Sequence, residues 1–87
     1  MAVTARVVDV REDIRRGDEP FDRIMSAVAA LADGEDLVII NLFEPVPLYG
    51  LLAQQGFSHE TDRTVAGDWR VTFRRLPDGE SPPHGAH

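Results

Sequence analysis

No cysteine occurs in the 87 residues of this chain. That excludes structural disulfides, thiolate nucleophiles and cysteine-ligated zinc. Positive charge is also scarce. Nine basic side chains face fifteen acidic ones, for a formal net charge of -6. A nucleic-acid binder needs a basic stripe to neutralise phosphates, so nucleic acid is not an expected partner. Long apolar runs are missing as well. "AVAALA" and "LVII" are the longest, far short of the ~20 residues that span a bilayer. The opening "MAVTARVVDV" has no basic segment followed by a long apolar one, so no secretory signal is expected. The expectation is a cytoplasmic protein without a membrane partner.

What remains is the composition of one soluble globular domain, 43% hydrophobic and 28% charged. A chain this short buries a modest core, so a net stability of about 0.05–0.15 kcal/mol per residue is expected. Residues 5–11, "ARVVDVR", are short and β-branched and read as a strand. Val8 and Val10 fall on one face, Val7 and Asp9 on the other. Residues 12–19, "EDIRRGDE", read as a charged loop. Pro20 suits the first turn of a helix, where its missing N–H would be unpaired anyway. Phe21, Ile24, Met25, Val28, Leu31 and Ala32 then form one apolar stripe at helical period. Asp33-Gly34 ends it, with Gly34 as a left-handed cap.

Residues 36–42, "DLVIINL", are apolar on both faces and mark a central strand, parallel to the first. Pro45 and Pro47 bracket a second helix start. Leu48, Leu51 and Leu52 form its buried face, and Gly56 closes it. "FSHETDRT", 57–64, is polar and reads as an exposed edge strand, and "VAGD" as a turn. Along 69–75, Trp69, Val71 and Phe73 alternate with Arg70, Thr72 and Arg74. The remainder, 76–87, has almost nothing to bury and reads as a disordered tail after a domain of residues 1–75. The order βαβαββ predicts an α+β fold: a two-layer sandwich, with two helices on one face of a mixed four-stranded sheet.

Two Glu-Pro pairs stand at the two helix starts, in "GDEPFDRIM" and "FEPVPLYG". Two readings stay open. In the first, Asp18, Glu19 and Glu44 only complement the helix dipoles and cap unpaired N–H groups. In the second, the parallel strands deliver both helix starts to one sheet edge, where ligands of open α/β sheets bind. Glu19, Pro20, Glu44, Pro45, Pro47 and Tyr49 would then line one acidic edge. That edge would suit a cation, an amine or a basic partner surface better than a phosphate.

Other candidates are sparser. His59 lies mid-strand and reads as a solvated side chain with some metal-ligating capacity. Glu60 points to the opposite face, so the two make no ready metal pair. His84 and His87 read as solvated tail residues. Arg70 and Arg74 form an outward row that reads as a solvated face or a partner contact. Val7, Val38 and Ile40 would lie among them if the second strand has that parity, as an exposed apolar patch of the kind that marks association. There is no phosphate-binding glycine loop, no helical H-x-x-x-H and no assignable catalytic set.

The stretch "DVREDIRRGDEPFDRIMSAVAALADGEDLVIINLFEPVPLYGLLAQQGFSHE", followed by "WRVTFRR", resembles the TusA/SirA/YedF-like superfamily. It is most similar to a branch of uncharacterised, cysteine-poor domains with an HDPxPL-like loop after the second strand. The resemblance covers about residues 7–75 and implies the sandwich with strand order 1-2-4-3. Sulfur-carrier members start the first helix through Cys-Pro-x-Pro, whose cysteine carries a persulfide. Here Pro20 matches the last proline, Asp18 stands for the first, and Gly17 stands where the cysteine would be. Persulfide transfer is thus chemically closed to this chain. The leading expectation is a non-catalytic cytosolic binding or accessory module, monomer or weak dimer, that holds another protein or a small ligand and needs no cofactor. Alternatives are a thiol-independent accessory factor or enzyme component in sulfur or redox metabolism, and a metal-binding regulator using His59 and the carboxylates.

Overall fold

The structure, a computed structural model, describes residues 4–76. The elements are β1 (Ala5–Asp9), α1 (Arg11–Arg16), α2 (Phe21–Ala30), β2 (Asp36–Asn41), α3 (Val46–Ala53), β3 (Phe57–Arg63) and β4 (Trp69–Arg75). One mixed sheet runs in the order β1-β2-β4-β3. β1 and β2 are parallel, whereas β4 is antiparallel to both β2 and β3. β2, the most apolar strand, is central, and β3 is an edge, as their composition predicts.

The register sorts the side chains into two faces. Val8 pairs with Ile39, Ile39 with Val71, and Leu37 with Phe73. These, with Phe57, form the buried face. Ile24 and Val28 of α2 and Leu48 and Leu52 of α3 complete the core. Full burial of such side chains contributes about 1.5–3 kcal/mol each, so this one face carries most of the stability. The other face carries Val7, Val38, Ile40, Arg70, Thr72 and Arg74, and no helix covers it. The parity of β2 is thereby resolved: Leu37 and Ile39 are inside, Val38 and Ile40 outside.

The charged loop expected over residues 12–19 is in part a helix. α1 is only six residues long and has one apolar residue, Ile14, so it shows no periodicity. Charge placement holds it instead. Glu12 and Asp13 stand in its first turn and Arg15 and Arg16 in its last, each complementing the helix dipole. The Asp9 carboxylate accepts the Arg11 N–H at 3.1 Å. Arg23 of α2 donates to the buried Asp13 carboxylate at 2.7 Å. The order is therefore βααβαββ. Gly17 terminates α1 at φ +80°, a backbone that glycine adopts without strain. Its presence has a conformational cause, apart from any missing sulfur.

Other boundaries also shift: the strand expected over residues 5–11 ends at Asp9, because Val10 and Arg11 already start α1. α2 ends at Ala30 with an extended Leu31 as its cap, so Gly34 (φ +80°) serves the following turn. Ala53 ends α3, and Gly56 (φ +89°) closes the turn into β3. Leu76, expected in the tail, donates its N–H to the Gly56 carbonyl at 2.7 Å. The rest of the expected tail, with His84 and His87, lies outside the described residues.

Candidate functional site

The chain leaves β1 into α1, and β2 into the loop before α3. Both exits lie at the carboxyl edge of the parallel pair. A cavity of about 370 Å³ opens there. Its walls come from α1 (Ile14), the start of α2 (Glu19, Pro20, Phe21, Ile24), the end of β2 (Asn41) and the start of α3 (Phe43, Pro45, Pro47, Leu48), with Asp18 beside them. Apolar atoms dominate. Phe21 and Phe43 keep 43% and 52% of their surface exposed, large values for phenylalanine at the mouth of a cavity.

The structure separates the sequence candidates into two groups. Glu19, Pro20, Pro45 and Pro47 line the cavity together. Glu44 and Tyr49 do not line it. Glu44 instead accepts a hydrogen bond from the Tyr49 hydroxyl at 3.0 Å. Tyr49 stacks nearly parallel on His59, ring centroids 3.8 Å apart, and tilts against Phe73. Burial and, after it, the Glu44 carboxylate push the Tyr49 phenol up to about 12. His59 is thus half-buried on the helix side, opposite Phe73, where a solvated side chain was expected. A polar edge strand still has an inner face, and His59 falls on it.

The two helix starts also differ from ordinary anion sites. A helix N-terminus binds phosphate through free N–H groups. Pro20, Pro45 and Pro47 have none. The Phe21 N–H is bonded to the Glu19 carboxylate at 3.2 Å. In α3, the Val46 and Leu48 N–H groups bond to the Glu44 and Pro45 carbonyls. Glu19 therefore does cap a helix, whereas the Glu44 side chain caps nothing.

Ion pairing sharpens the electrostatics. Asp18 is held by Arg16 at 3.0 Å, Asp13 by Arg23, and Asp9 and Asp68 by Arg11. The Arg11 guanidinium holds the Asp9 carboxyl below the usual carboxylate range. On the open sheet face Arg70 pairs with Asp62, which lowers the Asp62 carboxyl, and Arg74 with Asp36 and Glu60. Both arginines of that face are thus engaged within the chain. Among the described residues, only Glu19, Asp22, Asp33 and Glu44 lack a basic partner within ion-pair distance. Three of these stand at the starts of α2 and α3. Of these, Glu19 lines the cavity.

No group of three or more His, Asp or Glu side chains among the described residues could hold a metal ion. Nor is any described helix long and apolar enough to cross a membrane. Sequence reading missed Ile14, Phe21, Asn41 and Phe43 as cavity walls. One signal was available: a phenylalanine flanks each Glu-Pro pair, as "EPF" and "FEP". Phe21 reads as core by helical period, yet its first-turn position turns it to the rim.

Compared with protein families, residues 7–75 match the family described as uncharacterized conserved protein (DUF2249). Neither the curated proteins nor the solved structures gave a match.

Proposed function

The chain belongs to the DUF2249 family, and from that premise we propose that it is a non-catalytic cytosolic binding module that works through the cavity at its helix starts. The carrying observation is the cavity itself: apolar walls from four elements, with Glu19 on its rim. Its volume is within the ~300–1,000 Å³ of ordinary ligand sites. The β1-β2-β4-β3 order supports a further reading of the fold as TusA-like. In that reading the cavity occupies the carrier end of the fold, and Gly17 replaces sulfur chemistry with recognition.

A fragment titration of the isotope-labelled chain, read by amide NMR shifts, tests the proposal. Hits are expected to move Ile14, Phe21, Asn41 and Phe43 together. Hits that gather on Val38, Ile40 and Thr72 would transfer the function to the open sheet face. That face supports a second reading, docking of a protein, because Val7 is 58% exposed beside the half-buried Val38 and Ile40. Its arginines offer less than their number suggests, since Arg70 and Arg74 already have acidic partners.

A further inference from the structure

We infer that the cavity at the starts of α2 and α3 receives an organic ammonium ion whose apolar body carries an acceptor oxygen. The inference rests on the binding-module reading and names its ligand class. Three features of the site lead to it.

Charge comes first. Glu19 lines the cavity and has no basic partner among the described residues, and Asp22, likewise without one, follows it in the first turn of α2. An anion would meet the Glu19 carboxylate directly. The N–H groups that usually offset such a charge are also fewer, because three prolines have none and those of Phe21, Val46 and Leu48 are bonded internally. A cation meets the opposite situation on both counts.

Aromatic surface comes second. Phe21 and Phe43 line one cavity and leave about half their surface open. The face of a phenyl ring is electron-rich and attracts ammonium groups, more so where water is partly excluded. An ammonium ion near two such rings and a carboxylate is recognised by shape and charge together. Ile14, Ile24 and Leu48 offer only apolar contact, which calls for an apolar body behind the charge.

The cavity floor supplies the last feature. Asn41 is 3% exposed and lines the cavity. Its side-chain oxygen accepts the Leu42 N–H at 2.7 Å, which orients the amide. The amide nitrogen has no acceptor among the described residues. Fully buried side-chain polar atoms without partners are absent among those residues, so this nitrogen keeps some exposure, in a residue that lines the cavity. A nearly buried donor beside an apolar space gains most from a ligand oxygen. The resulting order is oxygen at the floor, apolar body between, ammonium at the rim.

O-Methyltyramine has this order and serves as the probe, with phenethylamine lacking the oxygen. The alcohol and propionate analogues of O-methyltyramine replace the ammonium by a neutral and an anionic group. All four are titrated into the full-length chain and followed by amide NMR shifts. The amine is expected to move Ile14, Phe21, Asn41 and Phe43 and to bind about ten-fold tighter than the alcohol, with the propionate weakest. Glu19→Gln should weaken the amine several-fold and leave the alcohol unchanged, while its undisturbed spectrum elsewhere reports an intact fold. Phenethylamine should bind less tightly than O-methyltyramine in the native chain. Equal cavity binding by amine and alcohol, or a tighter propionate, would overturn the ammonium assignment and leave the binding module standing. Phenethylamine equal to O-methyltyramine would remove the floor oxygen from the ligand class. If none of the four moves the cavity residues, the inference fails, and the fragment titration then decides the module separately.

Discussion

Glu19-Pro20 and Glu44-Pro45 are the same dipeptide at the same kind of place, yet they do different work. At the first, the carboxylate turns back onto the Phe21 N–H and stays on the cavity rim. At the second, it turns away to the Tyr49 hydroxyl and joins a stack with His59. The difference follows from what each helix offers. α2 keeps an N–H at Phe21 for a side chain to cap. α3 has proline at its N-cap and again at Pro47, and a main-chain carbonyl takes the N–H between them. With no backbone donor left, Glu44 finds the nearest side-chain donor one turn along. Both Glu-Pro pairs of this chain thus precede a helix start, and the destination of each carboxylate depends on the remaining donors.

The largest effect that sharpens this contrast is the titration of Tyr49, the only tyrosine in the chain. Tyrosinate absorbance should show a midpoint raised from the ordinary 10.0 to about 12. Burial is the larger cause and Glu44 the smaller, so Glu44→Gln should lower the midpoint without restoring the ordinary value. The sign for stability follows from which form the fold prefers. A raised pKa means that the native state holds the phenolic proton more tightly than the unfolded chain. The contribution is complete below about pH 10 and is lost as pH rises toward 12. A Tyr49 midpoint that Glu19→Gln lowers as much as Glu44→Gln does would erase the distinction between the pairs.

Next in size is Gly17, which precedes the first pair and has no counterpart before the second. A Cβ built there meets nothing within 4 Å, so crowding is excluded as a cost and only the left-handed backbone remains. Gly17→Ala should destabilise the domain by about 1–2 kcal/mol, and Gly17→Asn by less, since Asn tolerates this conformation. Chemical denaturation measures both. Equal losses would mean that the first junction does not depend on backbone handedness. The same strain would oppose a cysteine installed at this position.

The smallest effect is the direct comparison of the carboxylates. Glu19→Gln and Glu44→Gln should each change stability by about 1 kcal/mol or less. The two bonds share no group, so the double variant should be additive within about 0.5 kcal/mol. A larger coupling would show that the two carboxylates sense one another across the helix starts after all.

Much of this fold is legible along the chain. β4 alternates strictly, β2 is too apolar to be an edge, and α2 carries a clean helical stripe. These features depend on short-range spacing, which a sequence displays directly. α1 escapes because its support is a salt bridge from Arg23, ten residues beyond Asp13, and not a repeat within its own six residues. Its one apolar residue, Ile14, turns out to line the cavity.

By itself the sequence determined that the chain has no thiol, that two helices begin at Glu-Pro, and that its pattern suits a sandwich with the polar strand outside. Composition and periodicity are sufficient for each, because each is a property of residue type and local spacing. Tertiary structure alone decided which carboxylates remain unpaired. Net charge is the same for any arrangement, whereas pairing depends on which arginine reaches which acid across strands and helices. It also decided that Phe21, Phe43 and Asn41 meet at one cavity, since residues 20 or more positions apart converge only once β1 and β2 lie side by side and deliver their following helices to the same edge.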